Sequence, residues 1–295
     1  MLTLEALAEL VDRYGPPGAV RVKEFALAGR HLPFNSQPIL MGVINLSPDS
    51  WYRESVCLSP AAAVRRGRVL AAQGALLVDV GAESTLAHAA RVEAGLQTGR
   101  LLPVIRGLRE ADILVSVETY DAAVARACLE AGANVLNLTG TCGTEELYRL
   151  AAAHDAAVII CYVEGAHVRA VGDFDLESDW VQRMQDYFAR QIDAAHRVGL
   201  QKVVLDPGLG FYYRNLQDSA QRVRYQMLTF LHSFRFRALG YPVCNALPHA
   251  FEYFGEEVRC AEPFFAVLAA LGRTDLFRTH EVPRVRAVLE TLGVY

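Results

Sequence analysis

The chain has 295 residues, 52% hydrophobic and 21% charged, with a formal net charge of −4, which fits a globular protein with a sizeable core. Its basic residues are scattered singly, with only Arg65, Arg66 and Arg68 grouped, which excludes the basic stripe of a nucleic-acid binder and the footprint for an anionic membrane. No run approaches the roughly 18 apolar residues of a spanning helix, so no membrane segment is expected.

The first residues, MLTLEALAELVDRYGPPG, carry Glu5, Glu9 and Asp12 among apolar positions and read as a short amphipathic helix stopped at Gly15-Pro16-Pro17. Val20–Ala28, followed by Gly29, reads as an extra strand or hairpin at the base of the fold. From there, apolar runs of strand length alternate with longer Ala-, Leu- and Arg-rich stretches of helical period. The predicted strands are Pro38–Asn45, Ala75–Val80, Ile113–Val117, Asn134–Leu138, Val158–Tyr162, Lys202–Asp206, Pro242–Ala246 and Leu276–Thr279. They are rich in Val, Ile and Leu with little alternation, as strands buried on both faces should be. Predicted helices include Pro60–Gln73, Tyr120–Ala131, Thr144–His154 and Asp179–Val198, with Ser59 and Thr144 as caps. Eight such repeats without an interior linker predict an α/β fold, a single (β/α)8 TIM barrel over residues 36–295 behind an N-terminal extension over 1–35. A doubly wound open sheet is the alternative. The six cysteines are spread without a C-x-x-C pair. With no export signal, reduced thiols and a cytoplasmic location are the expectation.

In such a barrel, chemistry sits at the C-terminal ends of the strands, and here nearly every predicted strand ends in polar residues. The first ends in Asn45, then Ser47, Asp49 and Ser50. The second carries Asp79 and runs out to Glu83, Ser84 and Thr85, and the third ends in Glu118. Asn137 ends the fourth and Asp206 the sixth, while the seventh leads to His249 and the eighth to Arg278 and His280. Taken singly, Ser47, Asp49, Ser84 and Thr85 suit helix caps or turns. Asp79, inside an apolar run, must be paired, and bracing is its expected task. Together they describe one polar rim. Asp206, Glu118 and Asn137 suit a flat heterocycle rich in N–H donors, such as a pterin. Arg278 and His280, with Asn45, Ser84 and Thr85, suit a pyrophosphate, and Asn45 suits a magnesium ion that keeps most of its waters.

Four stretches in order, MGVINLSPDS (41–50), LLVDVGAEST (76–85), SVETYDAAVARACLEAGANVLN (116–137) and LDPGLGF (205–211), resemble the signatures of the dihydropteroate synthase family. FRTHEV (277–282) adds a weaker match. The resemblance implies a transferase of folate biosynthesis that binds a pyrophosphate-activated dihydropterin in the barrel mouth and works with Mg2+ as a homodimer. It also implies pterin contacts from Asp206, Asn137 and Phe211, with Glu118 where the family has Asp. Asn45 would serve the metal and pyrophosphate, Arg278 and His280 the phosphates, and Asp49, Ser84 and Thr85 the loops over them.

The departures gather on one side. Leu86, Ala87 and His88 follow Glu-Ser-Thr where the family has Arg-Pro-Gly. Leu247-Pro248-His249-Ala250 aligns with the family's Ser-Arg-Lys-Ser, so His249 stands for the pterin-side lysine and Ala250 for a serine at the p-aminobenzoate carboxylate. Trp51, Tyr52 and Arg53 also replace small and acidic residues. The expected activity is therefore transfer of a pterin-methyl group to an acceptor other than p-aminobenzoate. An ordinary dihydropteroate synthase with unusual loops stays open beside it, as does a non-catalytic or partner-dependent pterin-binding barrel.

Overall fold

The computed structural model describes residues 2–16, 20–50, 52–83, 92–141, 143–165, 172–176, 178–210, 213 and 215–295. Helix α1 (Leu4–Tyr14) starts at Thr3, whose hydroxyl accepts from the Ala6 N–H at 3.3 Å, and ends at Gly15 with φ +82°. A hairpin follows, β1 (Phe25–Leu27) antiparallel to β2 (Arg30–Leu32). Between its strands Ala28 and Gly29 take φ of +47° and +78°, the positive pair that a tight two-residue hairpin turn needs. Of the expected stretch Val20–Ala28, only the last part is strand.

Eight parallel strands make the main sheet: β3 (Ile39–Asn45), β4 (Leu77–Gly81), β5 (Leu114–Thr119), β6 (Val135–Leu138), β7 (Ala157–Cys161), β8 (Val203–Asp206), β9 (Cys244–Ala246) and β10 (Leu276–Thr279). Around them run α2 (Pro60–Ala72), α3 (Ala94–Glu110), α4 (Ala122–Glu130), α5 (Thr144–Ala153), α6 (Trp180–Arg197) and α7 (Ser219–Leu231). The short α8 (Ser233–Arg237) and α9 (Phe251–Phe254) precede α10 (Ala261–Leu271) and α11 (Val282–Leu292). The strand order is β8-β7-β6-β5-β4-β3-β10-β9. A parallel bridge from Leu205 to Val243, with the Leu205 N–H donating to Pro242 O at 2.9 Å, joins β8 to β9. The sheet thereby closes on itself as a (β/α)8 barrel, which sets aside the doubly wound alternative, whose sheet has two open edges.

Local sequence explains the helix starts. Ser59 caps α2, accepting from the Ala62 N–H at 3.3 Å ahead of Pro60, and Asp121 caps α4 through two N–H groups at 2.8 and 3.0 Å. Thr144, expected as a cap, is instead the first helical residue of α5. Gly143, in a left-handed conformation (φ +67°) that favours glycine, holds the cap position.

The two faces of each strand enter separate apolar clusters. Leu40, Ile44, Val78, Val80, Val115, Val117 and their counterparts face the helices. Ile39, Met41, Leu77, Leu114, Val135, Ile159, Val204, Cys244 and Leu276 face inward at the bottom of the barrel, where Leu27, Leu32 and Phe34 from the hairpin region plug it. One step of two residues further up the same inward rows stand Asp79, Ser116, Asn137, Asp206 and Arg278. The barrel interior is thus apolar below and polar above.

Candidate active site

The polar layer is organised by two charged residues from neighbouring regions of the barrel. Asp79 on β4 is fully buried and accepts from Ser116 Oγ at 2.6 Å and Asn137 Nδ2 at 3.1 Å. Arg278 on β10 donates from Nε to Asp79 Oδ2 at 2.7 Å and from a terminal nitrogen (Nη2) to Glu118 Oε2 at 2.6 Å. Asp206 closes the ring from β8, accepting the Gly208 N–H at 2.7 Å in a turn that Pro207 and Gly208 (φ +74°) allow. One guanidinium therefore faces three carboxylates, Asp79 and Asp206 buried and Glu118 partly open to the pocket.

Burial first, and this imbalance after it, set the electrostatics. Burial pushes the Glu118 carboxyl up to about 7, with Arg278 opposing and Asp79 and Asp206 reinforcing the rise. Burial likewise pushes Asp206 up to about 6 against the Gly208 N–H and Arg278. For Arg278, burial acts against the charge, but Asp79 and Glu118 outweigh it and hold the guanidinium ionised. Asn137 adds an unmatched acceptor: its nitrogen is committed to Asp79, and its buried Oδ1 has no hydrogen-bond partner among the described residues. Such a layer is short of donors.

A pocket opens directly above. Asn45, Glu118, Asn137, Cys161, Asp206 and Arg278 line it, with His249, His280, Tyr52 and Ser47 toward the mouth. Asn45 donates from Nδ2 to Ser55 Oγ at 2.6 Å, which leaves its carbonyl oxygen for a ligand. At the mouth the Tyr52 ring stacks on both imidazoles, 5.0 Å from His249 and 4.6 Å from His280. Its hydroxyl donates to Glu281, itself held by Arg259 at 2.7 Å. Behind the imidazoles lies Glu262, fully buried on α10, which accepts from His280 Nδ1 at 2.7 Å, from the His280 and Glu281 N–H groups, and from Thr279 Oγ1. Burial alone would raise the Glu262 carboxyl, but His280 and His249 outweigh it and hold it below its ordinary value. Burial drives His249 down to about 4, so it is neutral at pH 7.

Of the residues expected from the sequence, Asn45, Glu118, Asn137, Asp206, His249, Arg278 and His280 all line this one pocket. Arg278 points into the barrel, with Nε and one terminal nitrogen committed to carboxylates. Asp49 stands exposed on the loop after β3 and is not among the lining residues. Ser84, Thr85 and Phe211 lie outside the described residues, as do Trp51, Leu86, Ala87 and His88. Sequence reasoning did not find Glu262, Glu281 or Ser116. Glu262 offered one signal, a carboxylate at the start of the otherwise apolar helix AEPFFAVLAAL.

A model of the "Pterin binding enzyme" family matches residues 41–247, well over half of the chain. The dihydropteroate synthase of Synechocystis sp. is 27% identical over 292 residues, 95% of each chain. That of Streptococcus pyogenes is 32% identical over 208 residues, 69% of this chain and 72% of its own. A solved Xanthomonas albilineans dihydropteroate synthase with 4-aminobenzoic acid superposes with a TM-score of 0.77 at 26% identity, covering 92% of this chain and 98% of that one. With its barrel, its polar floor and this family match, the chain belongs to the pterin binding enzymes and is a dihydropteroate-synthase-like protein.

Proposed function

We propose that the protein is a transferase that binds a pyrophosphate-activated dihydropterin in this pocket and passes its methylene carbon to a nucleophile other than p-aminobenzoate. One observation carries the pterin half: Asn137 Oδ1, a buried acceptor without a partner, stands in register beside Glu118 on the neighbouring strand, with the Asp206 carboxylate completing the floor. A ring with an amidine-like N–H edge supplies the donors that this floor lacks. Supporting the choice of acceptor, Arg278 is the one Lys or Arg among the described lining residues, and it is already paired with Asp79 and Glu118. Among those residues the carboxylate of an aminobenzoate finds no lysine, and Arg278 has only the one terminal nitrogen left over from Asp79 and Glu118.

In the reaction, Asp206, Glu118 and Asn137 fix the ring so that its methylene carbon faces the mouth. The acceptor's lone pair forms the new bond to that carbon as the carbon–oxygen bond to pyrophosphate breaks, and the acceptor then loses its proton. Charge develops on the departing oxygen, where His280 and the remaining terminal nitrogen of Arg278 stand to stabilise it. A magnesium ion suits the carbonyl oxygen of Asn45, whose nitrogen is held by Ser55, and when bound it neutralises charge on the leaving group.

The test mixes protein, dihydropterin pyrophosphate and magnesium, with and without p-aminobenzoate, and follows pyrophosphate. Absence of p-aminobenzoate-dependent release at saturating substrate, with release restored by another amine, supports the reading. Efficient release with p-aminobenzoate would make this an ordinary dihydropteroate synthase, the reading that the end-to-end match to the Synechocystis protein favours.

A further inference from the structure

Three ligating side chains meet at the pocket mouth. His249, Glu262 and His280 each offer one atom, and these atoms all lie within 4.8 Å of one another. Hydrogen bonding among them is incomplete. Glu262 Oε1 is 2.7 Å from His280 Nδ1 but 3.6 Å from His249 Nδ1, and the second separation is too long for a hydrogen bond. His249 Nδ1 is buried and has no hydrogen-bond partner among the described residues. A buried ring nitrogen in that position calls for a partner.

Everything around the three holds them in place. The other carboxylate oxygen of Glu262, Oε2, takes the Thr279 hydroxyl and the N–H groups of His280 and Glu281, at 2.9 and 3.1 Å for the two amides. Oε1 is thereby turned to the imidazoles. Tyr52 stacks on both rings, at interplanar angles of 22° and 28°, and is anchored by its hydroxyl to Glu281. Bracing of a ligand carboxylate and of ligand rings by outer groups is the arrangement that protein metal sites use.

We infer that His249, Glu262 and His280 form a binding site for one divalent cation of the zinc class. Two imidazoles and one carboxylate are a donor set for such ions rather than for magnesium, which prefers oxygen alone. In a tetrahedral shell, ligand atoms about 2.1 Å from the ion stand roughly 3.4 Å apart. The 3.6 Å separation already matches, and the 2.7 Å contact opens once the ion replaces the proton shared there. Both imidazoles line the pocket, so the remaining coordination position faces it. The inference does not depend on a pterin as the organic ligand, nor on the magnesium at Asn45.

Chelator-treated full-length protein is titrated with Zn2+ alone by calorimetry and with Co2+ alone by visible absorption. One equivalent of Zn2+ and the d–d bands of low-coordinate Co2+ are expected, with Mg2+ failing to compete. His249→Ala should weaken binding beyond the roughly 10–100-fold that loss of an outer group costs. His31→Ala, on the exposed face of the hairpin, should leave binding unchanged. X-ray absorption on the wild-type zinc complex, which needs no variant to fold, should show two imidazoles and one carboxylate. No stoichiometric binding, an oxygen-only shell, or unchanged affinity in a folded His249→Ala protein would each overturn the site and leave Glu262 as a clamp for His280.

Discussion

Arg278 and Asp79, 199 residues apart in sequence, meet at 2.7 Å inside the barrel, and the same guanidinium reaches Glu118 at 2.6 Å. The arginine that sequence reasoning placed on the phosphates is thus first a counter-ion for the pocket floor. Removing one partner of a buried ion pair leaves the others uncompensated, at a cost of about 3–5 kcal/mol. Arg278→Met should lose stability on that scale in urea unfolding near neutral pH. The deficit should shrink in mild acid, where Glu118 and Asp206 take up protons. An equal deficit at both pH values would remove the charge argument.

The raised carboxyls also set a pH dependence. Glu118 titrates near 7 and Asp206 near 6 in the folded protein, both above their unfolded values. Between the unfolded and folded pKa values the native state binds more protons, so ligand-free stability falls as pH rises through that window. Pterin binding runs the other way, because a ring that donates N–H bonds needs ionised carboxylates. Its affinity should rise from about pH 5.5 to about 7.5 and then level off. Titrations across that range test both signs, and an affinity that falls with pH would contradict the assignment.

Two glycines separate packing from propensity. Gly272, after α10, lies so close to α7 that an added Cβ would sit 1.8 Å from the Phe230 carbonyl oxygen. Gly272→Ala should destabilise the protein by about 1–3 kcal/mol through overpacking. Gly99 is exposed within α3 with nothing near its missing Cβ, and Gly99→Ala should stabilise by about 0.5–1 kcal/mol. Thermal unfolding of the two variants checks both, and similar shifts in one direction would refute the contrast.

The strands could be read from sequence because both their faces are buried, so each appears as an unbroken run of Val, Ile and Leu, and the run Leu276–Thr279 agrees with β10 at both ends. The C-terminal ends at Asn45, Leu138, Asp206 and Ala246 agree as well, and the remaining ends differ by one or two residues, where backbone pairing rather than composition decides. The pocket floor was legible because Asn45 and Asp206 close their strands and Glu118 and Asn137 stand one residue before the ends of theirs. Glu262 was not, because its partners His249 and His280 meet it only once α10 has packed against the paired strands β9 and β10, and an acidic residue in the first turn of a helix usually marks the dipole and nothing more. The inward turn of Arg278 was hidden for the same reason: its direction depends on Asp79 and Glu118, two strands supplied by distant segments.

The most direct test of the pterin pocket is equilibrium binding of dihydropterin pyrophosphate to wild-type protein and to Asp206→Asn. The asparagine oxygen still accepts the Gly208 N–H, so the turn after β8 is preserved while the charge is lost. The wild type should bind one equivalent, and the variant should bind more weakly by about 1.5–3 kcal/mol, the worth of a hydrogen bond to a charged group. Equal affinity in the two proteins, or no binding by the wild type, would mean that the floor formed by Glu118, Asn137 and Asp206 does not hold a pterin.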